Sequence, residues 1–214
     1  MPDDDSHLGL RERKKLETRR ALLKAAVRLA YERGLEHVTV DDIAAEAGVS
    51  ARTFFNYFAS KEDAVLQPDD DPLEQMRQFA KGLVDAPAEL SPLHAFAHVM
   101  RPFAERVDNE AEEWLARVSI IERDPSLIAR MFTGQAETDR ITIEAIAARL
   151  GTSPDDFYPR LLLQVVSSAF HGVVRHWYAL NGEASVARLF DTAIEAIAAG
   201  LPVPPGTAGT EGNS

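Results

Sequence analysis

Apolar positions recur with a helical period through almost the whole chain, and no stretch carries the two-residue alternation of a strand. From Leu10 to Glu32, Leu16, Leu23, Val27 and Ala30 fall at spacings of seven, four and three, and Gly34 closes the pattern. Three short helical patterns follow, each behind a hydroxyl residue suited to capping a helix start. Thr39 stands three positions before Asp42, the spacing of a capping box, and this helix ends near Gly48. Ser50 caps the next helix, to about Phe58, and Ser60 with Asp63 repeats the pattern for a fourth.

PDDDP at 68–72 interrupts the periodicity and is a candidate hinge. Downstream, the pattern predicts helices near 72–83, 92–107, 110–123, 126–150, 154–180 and 185–199. Pro92 follows Ser91 and Pro154 follows Ser153, so each proline is expected in a first helical turn behind a capping serine. Pro102 lies inside a helical pattern and predicts a kink or break. Gly151 and Gly182 are expected helix stops. The fold class is therefore all-α, with an N-terminal unit of short helices that includes a helix-turn-helix and a longer C-terminal helical body, about nine to ten helices in all. The partition is a disordered arm at 1–9, the helix-turn-helix domain at 10–66, the helical body at 67–200 and a flexible tail at 201–214.

Charge sharpens this partition. The net charge of −11 is unpromising for a nucleic-acid binder, but segment 10–28 holds eight basic and two acidic residues, whereas 68–214 holds 12 basic and 22 acidic. An acidic body behind a basic N-terminal face would repel DNA everywhere except at that face. The 214 residues include no cysteine, which excludes disulfides, zinc fingers and thiol catalysis. No apolar run is long enough to span a membrane, so no membrane partner is expected and the expected location is the cytoplasm.

The segment 34–61, GLEHVTVDDIAAEAGVSARTFFNYFASK, carries the chemistry. A helix-turn-helix needs a residue tolerant of positive φ in its turn, and Gly48 is that residue. Ile43, Ala44, Ala47, Val49, Phe54 and Phe58 form the apolar set that locks the two helices against the first. Ser50, Ala51, Arg52, Thr53, Asn56 and Tyr57 are left outward. Small residues at the start of the second helix let its backbone approach base edges; Arg52 suits guanine, and Asn56 suits adenine or a phosphate. Thr39, Tyr57 and Lys61 flank the groove, where hydroxyl, phenol and ammonium groups hold phosphates.

These residues resemble the TetR family of bacterial transcriptional regulators. The pattern is a basic helix, then G-x-x-x-V-T-V-x-x-I-A-x-x-A-G-V-S from Gly34 to Ser50, T-F-F-N-Y-F from Thr53 to Phe58, and S-K-E-D from Ser60 to Asp63. The resemblance implies that Thr39, Tyr57 and Lys61 hold phosphates and that 50–56 reads bases. Phe55 departs from the pattern: many members carry a tyrosine there that can hydrogen-bond DNA, so the contact at this position must be apolar or absent. The resemblance further implies a helical body that binds a small-molecule inducer and forms a homodimer. The helices near 154–180 and 185–199 suit that dimer, because small residues such as Ser167, Ser168, Ala169 and Gly172 permit close approach.

A pocket of mixed character is expected from His98, Phe103, Trp114, Arg117, Phe132, Gln135, Phe170 and Trp177, with Arg101, Arg123 and Arg140 as further candidates for an anionic ligand. No cofactor is expected, and no metal: His94 and His98 lie one helical turn apart, without a carboxylate near them in sequence. No G-x-S-x-G, HExxH or glycine-rich phosphate loop is present, which argues against an enzyme. The expected function is thus a ligand-responsive repressor released from a palindromic double-stranded DNA operator by a small apolar or amphipathic molecule. The alternative is a helical-bundle small-molecule-binding protein or enzyme that does not bind DNA.

Overall fold

The computed structural model describes residues 9–66, 72–132 and 136–202. Among them the regular structure is helical: α1 (Leu10–Arg33), a single 3₁₀ turn (Leu35–His37), α2 (Val40–Glu46), α3 (Ala51–Phe54), α4 (Lys61–Leu66), α5 (Pro72–Asp85), α6 (Pro92–Asn109), α7 (Ala111–Arg123), α8 (Pro125–Phe132), α9 (Ala136–Leu150), α10 (Phe157–Ala179) and α11 (Val186–Ala198). The expected terminal arm, the 68–71 part of the hinge, and the tail beyond residue 202 lie outside the described residues.

The chain divides into two compact units, residues 1–80 with 109–142, and 81–108 with 143–214. In the first, Leu22, Ala26, Val27 and Leu29 of α1, Ile43 and Ala44 of α2, Phe54 and Phe58, and Ala64 and Val65 of α4 share one apolar core. Ile120 of α7 and Leu127 of α8 belong to that same core. The helix-turn-helix core is therefore completed by helices roughly 60 residues downstream in the chain. Such long-range packing is the usual source of stability for helices as short as α2 to α4.

Two arginines fasten α4 to these downstream helices. Arg117 of α7 is buried, donates to the carbonyl of Val65 in the last turn of α4, and pairs with Glu113 (3.0 Å). Arg130 of α8 donates to both carboxylate oxygens of Asp63 (3.0 and 3.2 Å) and to Ser60 Oγ (3.2 Å) at the start of α4.

The second unit is built around α6, α10 and α11, with Phe96, Val107, Leu162, Val166, Trp177, Val186, Phe190 and Ile194 buried among them. Asp108 at the end of α6 accepts from the Ser185 hydroxyl (2.7 Å) and from the backbone N–H groups of Val186 (2.6 Å) and Ala187 (3.2 Å), capping α11 from another helix. Arg149 of α9 donates to the carbonyls of Leu83, Ala86, Pro87 and Leu90, fixing the α5–α6 connection.

Three details differ from the sequence reading. Within the expected helix 126–150 the described residues form α8 and α9, and residues 133–135 between them lie outside the described residues; the described helices number eleven. Helix α6 runs unbroken across Pro102. The helix expected from Pro154 starts at Phe157, because Ser153 to Asp156 close a turn of their own: Ser153 N–H donates to Asp156 Oδ2 (2.9 Å) and Asp156 N–H to Ser153 O (3.1 Å). Asp156 then takes the capping position. Ser91 does cap α6, accepting from His94 N–H (3.3 Å).

Candidate nucleic-acid interface

The helix-turn-helix forms because each of its ends is satisfied locally. Thr39 Oγ1 accepts from Asp42 N–H (3.1 Å) while Asp42 Oδ2 accepts from Thr39 N–H (2.9 Å), a complete capping box. The Thr39 hydroxyl also donates to Asp42 Oδ2 (2.5 Å). That hydroxyl, and then the Thr39 backbone N–H, hold the Asp42 carboxyl below its ordinary value of 3.8. Gly48 sits at φ 69°, a conformation costly for any residue with a Cβ, and Val49 N–H returns to Ala44 O (2.9 Å). Ser50 Oγ then accepts from Thr53 N–H (3.1 Å) and lies 2.9 Å from Thr53 Oγ1.

Helix α3 is shorter than the expected 50–58. After Phe55 the hydrogen bonds tighten: Asn56 N–H donates to Thr53 O (3.1 Å) and Tyr57 N–H to Phe54 O (2.9 Å). The tightened turn swings Phe58 inward, where its ring lies 5.6 Å from that of Phe54 and Arg19 stacks 4.4 Å above it. Phe54 and Phe58 are buried, whereas Ser50, Arg52, Phe55 and Asn56 are exposed and Ala51, Thr53 and Tyr57 half-buried. The recognition segment thus has one face inside the core and one face free.

Beside that free face lies a cleft lined by Arg11, Lys14, Lys15 and Thr18 of α1 together with Asn56 and Tyr57. The four α1 residues share one helix face through spacings of three, four and seven, so three cations meet a phenol and a carboxamide in one concavity. That donor set suits a phosphate backbone. The basic run is visible in the sequence, and the spacing of three and four that gathers these members onto one face is the signal that marks them. Others in the run face different tasks: Arg19 lies on Phe58, and Arg28 pairs with Glu32 (3.0 Å) and Glu46.

Lys61 is anchored within the fold. Its Nζ donates to Leu35 O (2.7 Å), which also accepts from Val38 N–H (3.2 Å), and to Val38 O (2.8 Å), both in the turn between α1 and α2. Two of its three protons are therefore used inside the fold. Thr39 lies exposed next to that turn.

Comparison with known proteins places this geometry in a family. The profile described as bacterial regulatory proteins, tetR family, matches residues 22–67, and the MftR C-terminal domain profile matches residues 90–202. The HTH-type transcriptional regulator TcmR of Streptomyces glaucescens is 37% identical over 79% of this chain and 77% of its own length. The chain belongs to the TetR family. Another TetR-family relative, the putative mycofactocin biosynthesis transcriptional regulator MftR of Mycobacterium tuberculosis, is 26% identical over 88% of this chain and 93% of its own length. The fold matches that of SmeT, the repressor of the Stenotrophomonas maltophilia SmeDEF pump, solved with triclosan: TM-score 0.58 at 19% identity, over 92% of this chain and 99% of that one. As a TetR-family protein the chain is a DNA-binding transcriptional regulator, in a family of regulators rather than catalysts that generally act as dimers. No described helix is long and apolar enough to cross a membrane.

The residues expected to line a ligand pocket are divided between the two units. Trp114 and Arg117 lie in the first; the buried Arg117, tied to Val65 O and Glu113 and lying 5.2 Å from the Trp114 ring, is occupied as a structural clamp. Phe103, Phe170 and Trp177 lie in the second, where Phe170 packs between Phe103 (5.6 Å) and Phe190 (5.4 Å) and Trp177 is buried. His98 edges a separate surface cleft with His94, Arg101, Asp191 and Glu195. The Phe132 side chain and Gln135 lie outside the described residues. Arg101 pairs with Asp191 (2.7 Å), Arg140 with Glu137 (2.7 Å), and Arg123 lies 5.7 Å over Tyr31. Folding also supplies the carboxylate that His94 lacks in sequence: Glu195 of α11 stands 3.2 Å from its Nε2.

Proposed function

We propose that this protein is a homodimeric repressor that holds a palindromic operator through α3 and the α1 cleft, and releases it when a small apolar or amphipathic molecule binds the helical body. The observation that carries the reading is the juxtaposition of Arg11, Lys14 and Lys15 with Asn56 and Tyr57, beside the exposed Arg52. The cleft grips phosphates and sets register, while Arg52 and Asn56 reach base edges from the free face of α3. Ala51 lets the backbone come close, and the Ser50 and Thr53 hydroxyls, already engaged with each other, shape the helix start. Thr39 adds a flanking phosphate contact, and Lys61 serves chiefly to clamp the turn that carries Thr39.

The body at 67–200 supplies dimerisation and ligand binding. Helices α10 and α11 pair within it, and Phe157, Tyr158 and Leu161 at the start of α10 are exposed, which suits a second copy of the same pair. Dimerisation places two α3 segments on successive major grooves, about 34–36 Å apart. The aromatic group Phe103, Phe170 and Phe190 favours an apolar ligand, and a coupling of about 1–3 kcal/mol between the sites gives roughly five- to 150-fold induction. The setting is the cytoplasm, where operator and inducer meet.

Selection of the purified protein against a random duplex library tests the reading. Enrichment of a palindrome with half-sites one helical turn apart is the expected result. Binding that never enriches a sequence, and only weakens with salt, overturns it.

A further inference from the structure

Phe55 stands out among the large apolar residues left in solvent. Its side chain is 58% exposed, although its neighbour Phe54 is fully buried. The residue remains helical (φ −66°, ψ −10°), with its N–H on Ala51 O (3.1 Å). Its ring meets Phe54 edge to face at 5.6 Å, so the exposed ring is anchored on the core. Helical spacing puts Phe55 on the same face as Ala51 and Arg52, next to Asn56. That face adjoins the Arg11, Lys14 and Lys15 cleft, whose charge draws a polyanion to it.

An anchored ring on a face that meets duplex DNA has one apolar counterpart there. The major groove presents donors, acceptors and a single hydrocarbon feature, the thymine C5-methyl. We propose that Phe55 is a specificity-determining residue that reads thymine, its ring seated against the C5-methyl of one thymine in each operator half-site. Arg52 and Asn56 read by hydrogen bonds; Phe55 adds a hydrophobic contact that cytosine, which lacks the methyl, does not satisfy. The inference rests on the DNA-binding reading above.

The test uses the selected operator and the full-length protein. Each thymine of both half-sites is replaced in turn by deoxyuridine, which removes the methyl and leaves every hydrogen-bonding group in place. Burial of one methyl is worth about a fourfold change in affinity, so one symmetry-related position should cost about fourfold per half-site and about 15-fold when both are changed. Phe55→Ala should bind the two operators equally, and Phe55→Leu should keep part of the discrimination; circular dichroism checks that both variants fold. A deoxyuridine penalty of the same size in wild type and Phe55→Ala, or none at any thymine, overturns the role of Phe55 while leaving DNA binding intact. Failure to select any operator overturns the DNA-binding reading, and this inference with it.

Discussion

Replacing Lys61 by methionine separates two roles for one ammonium group. Methionine keeps most of the apolar stem and removes both bonds from Nζ to Leu35 O (2.7 Å) and Val38 O (2.8 Å). A hydrogen bond to a charged group contributes about 1.5–3 kcal/mol when well shielded. Lys61 is only half-buried, and water can reach part of the vacated site, so about 1 kcal/mol per bond is the sounder figure. Lys61→Met should therefore destabilise the protein by about 2 kcal/mol, a fall of roughly 4–8 °C in Tm for a chain of this size. Urea unfolding followed by circular dichroism measures the stability. Fluorescence anisotropy on the selected operator between 50 and 200 mM salt (a range set by the screening length) measures the phosphate contacts. If Lys61 serves chiefly as a clamp, the slope of log affinity against log salt stays near the wild-type value. A phosphate ligand in each of two protomers would instead lower that slope by about 1.8. A stability change below about 0.5 kcal/mol together with such a slope change would refute the clamp.

The α1 cleft carries the complementary expectation. Lys14→Ala and Lys15→Ala should each reduce the salt slope by about 0.9 per protomer with little effect on Tm, whereas Tyr57→Phe should weaken binding without altering the slope, because the phenol is uncharged. Asp42→Asn should destabilise at neutral pH. The Asp42 carboxyl is held below its ordinary 3.8 by Thr39, so its contribution is present above that value and lost as pH falls through the lower folded one. The gap in urea midpoint between wild type and Asp42→Asn should narrow on acidification, and a gap that widens would contradict the capping box. Arg117→Met should cost about 2 kcal/mol in urea unfolding, since the Val65 carbonyl loses its buried donor.

Local chemistry was legible in the sequence because it depends on near neighbours. The Thr39–Asp42 box, the Ser50 cap, the positive φ of Gly48, and the inward set of Ile43, Ala44, Phe54 and Phe58 all follow from spacings of a few residues. The late start of α10 was less legible, since Pro154 after Ser153 reads equally well as a helix start or as the turn that Asp156 closes. Residues expected at a pocket were harder still. Arginine and tryptophan types mark both a ligand site and a buried clamp, and only the fold shows that Arg117 reaches Val65 O.

By itself the sequence determined the helical class, the helix-turn-helix and the exposure of Ser50, Arg52 and Asn56, because period, caps and a turn glycine act within one or two helical turns. The tertiary structure alone decided that α7 and α8 complete the core under that motif, that Arg117 and Arg130 fasten both ends of α4, and that Lys61 spends two protons on the α1–α2 turn. The hydrogen bonds among these join residues 23 to 70 positions apart. A side chain's charge and length say that it can find such a partner; only the folded backbone says which one comes within reach.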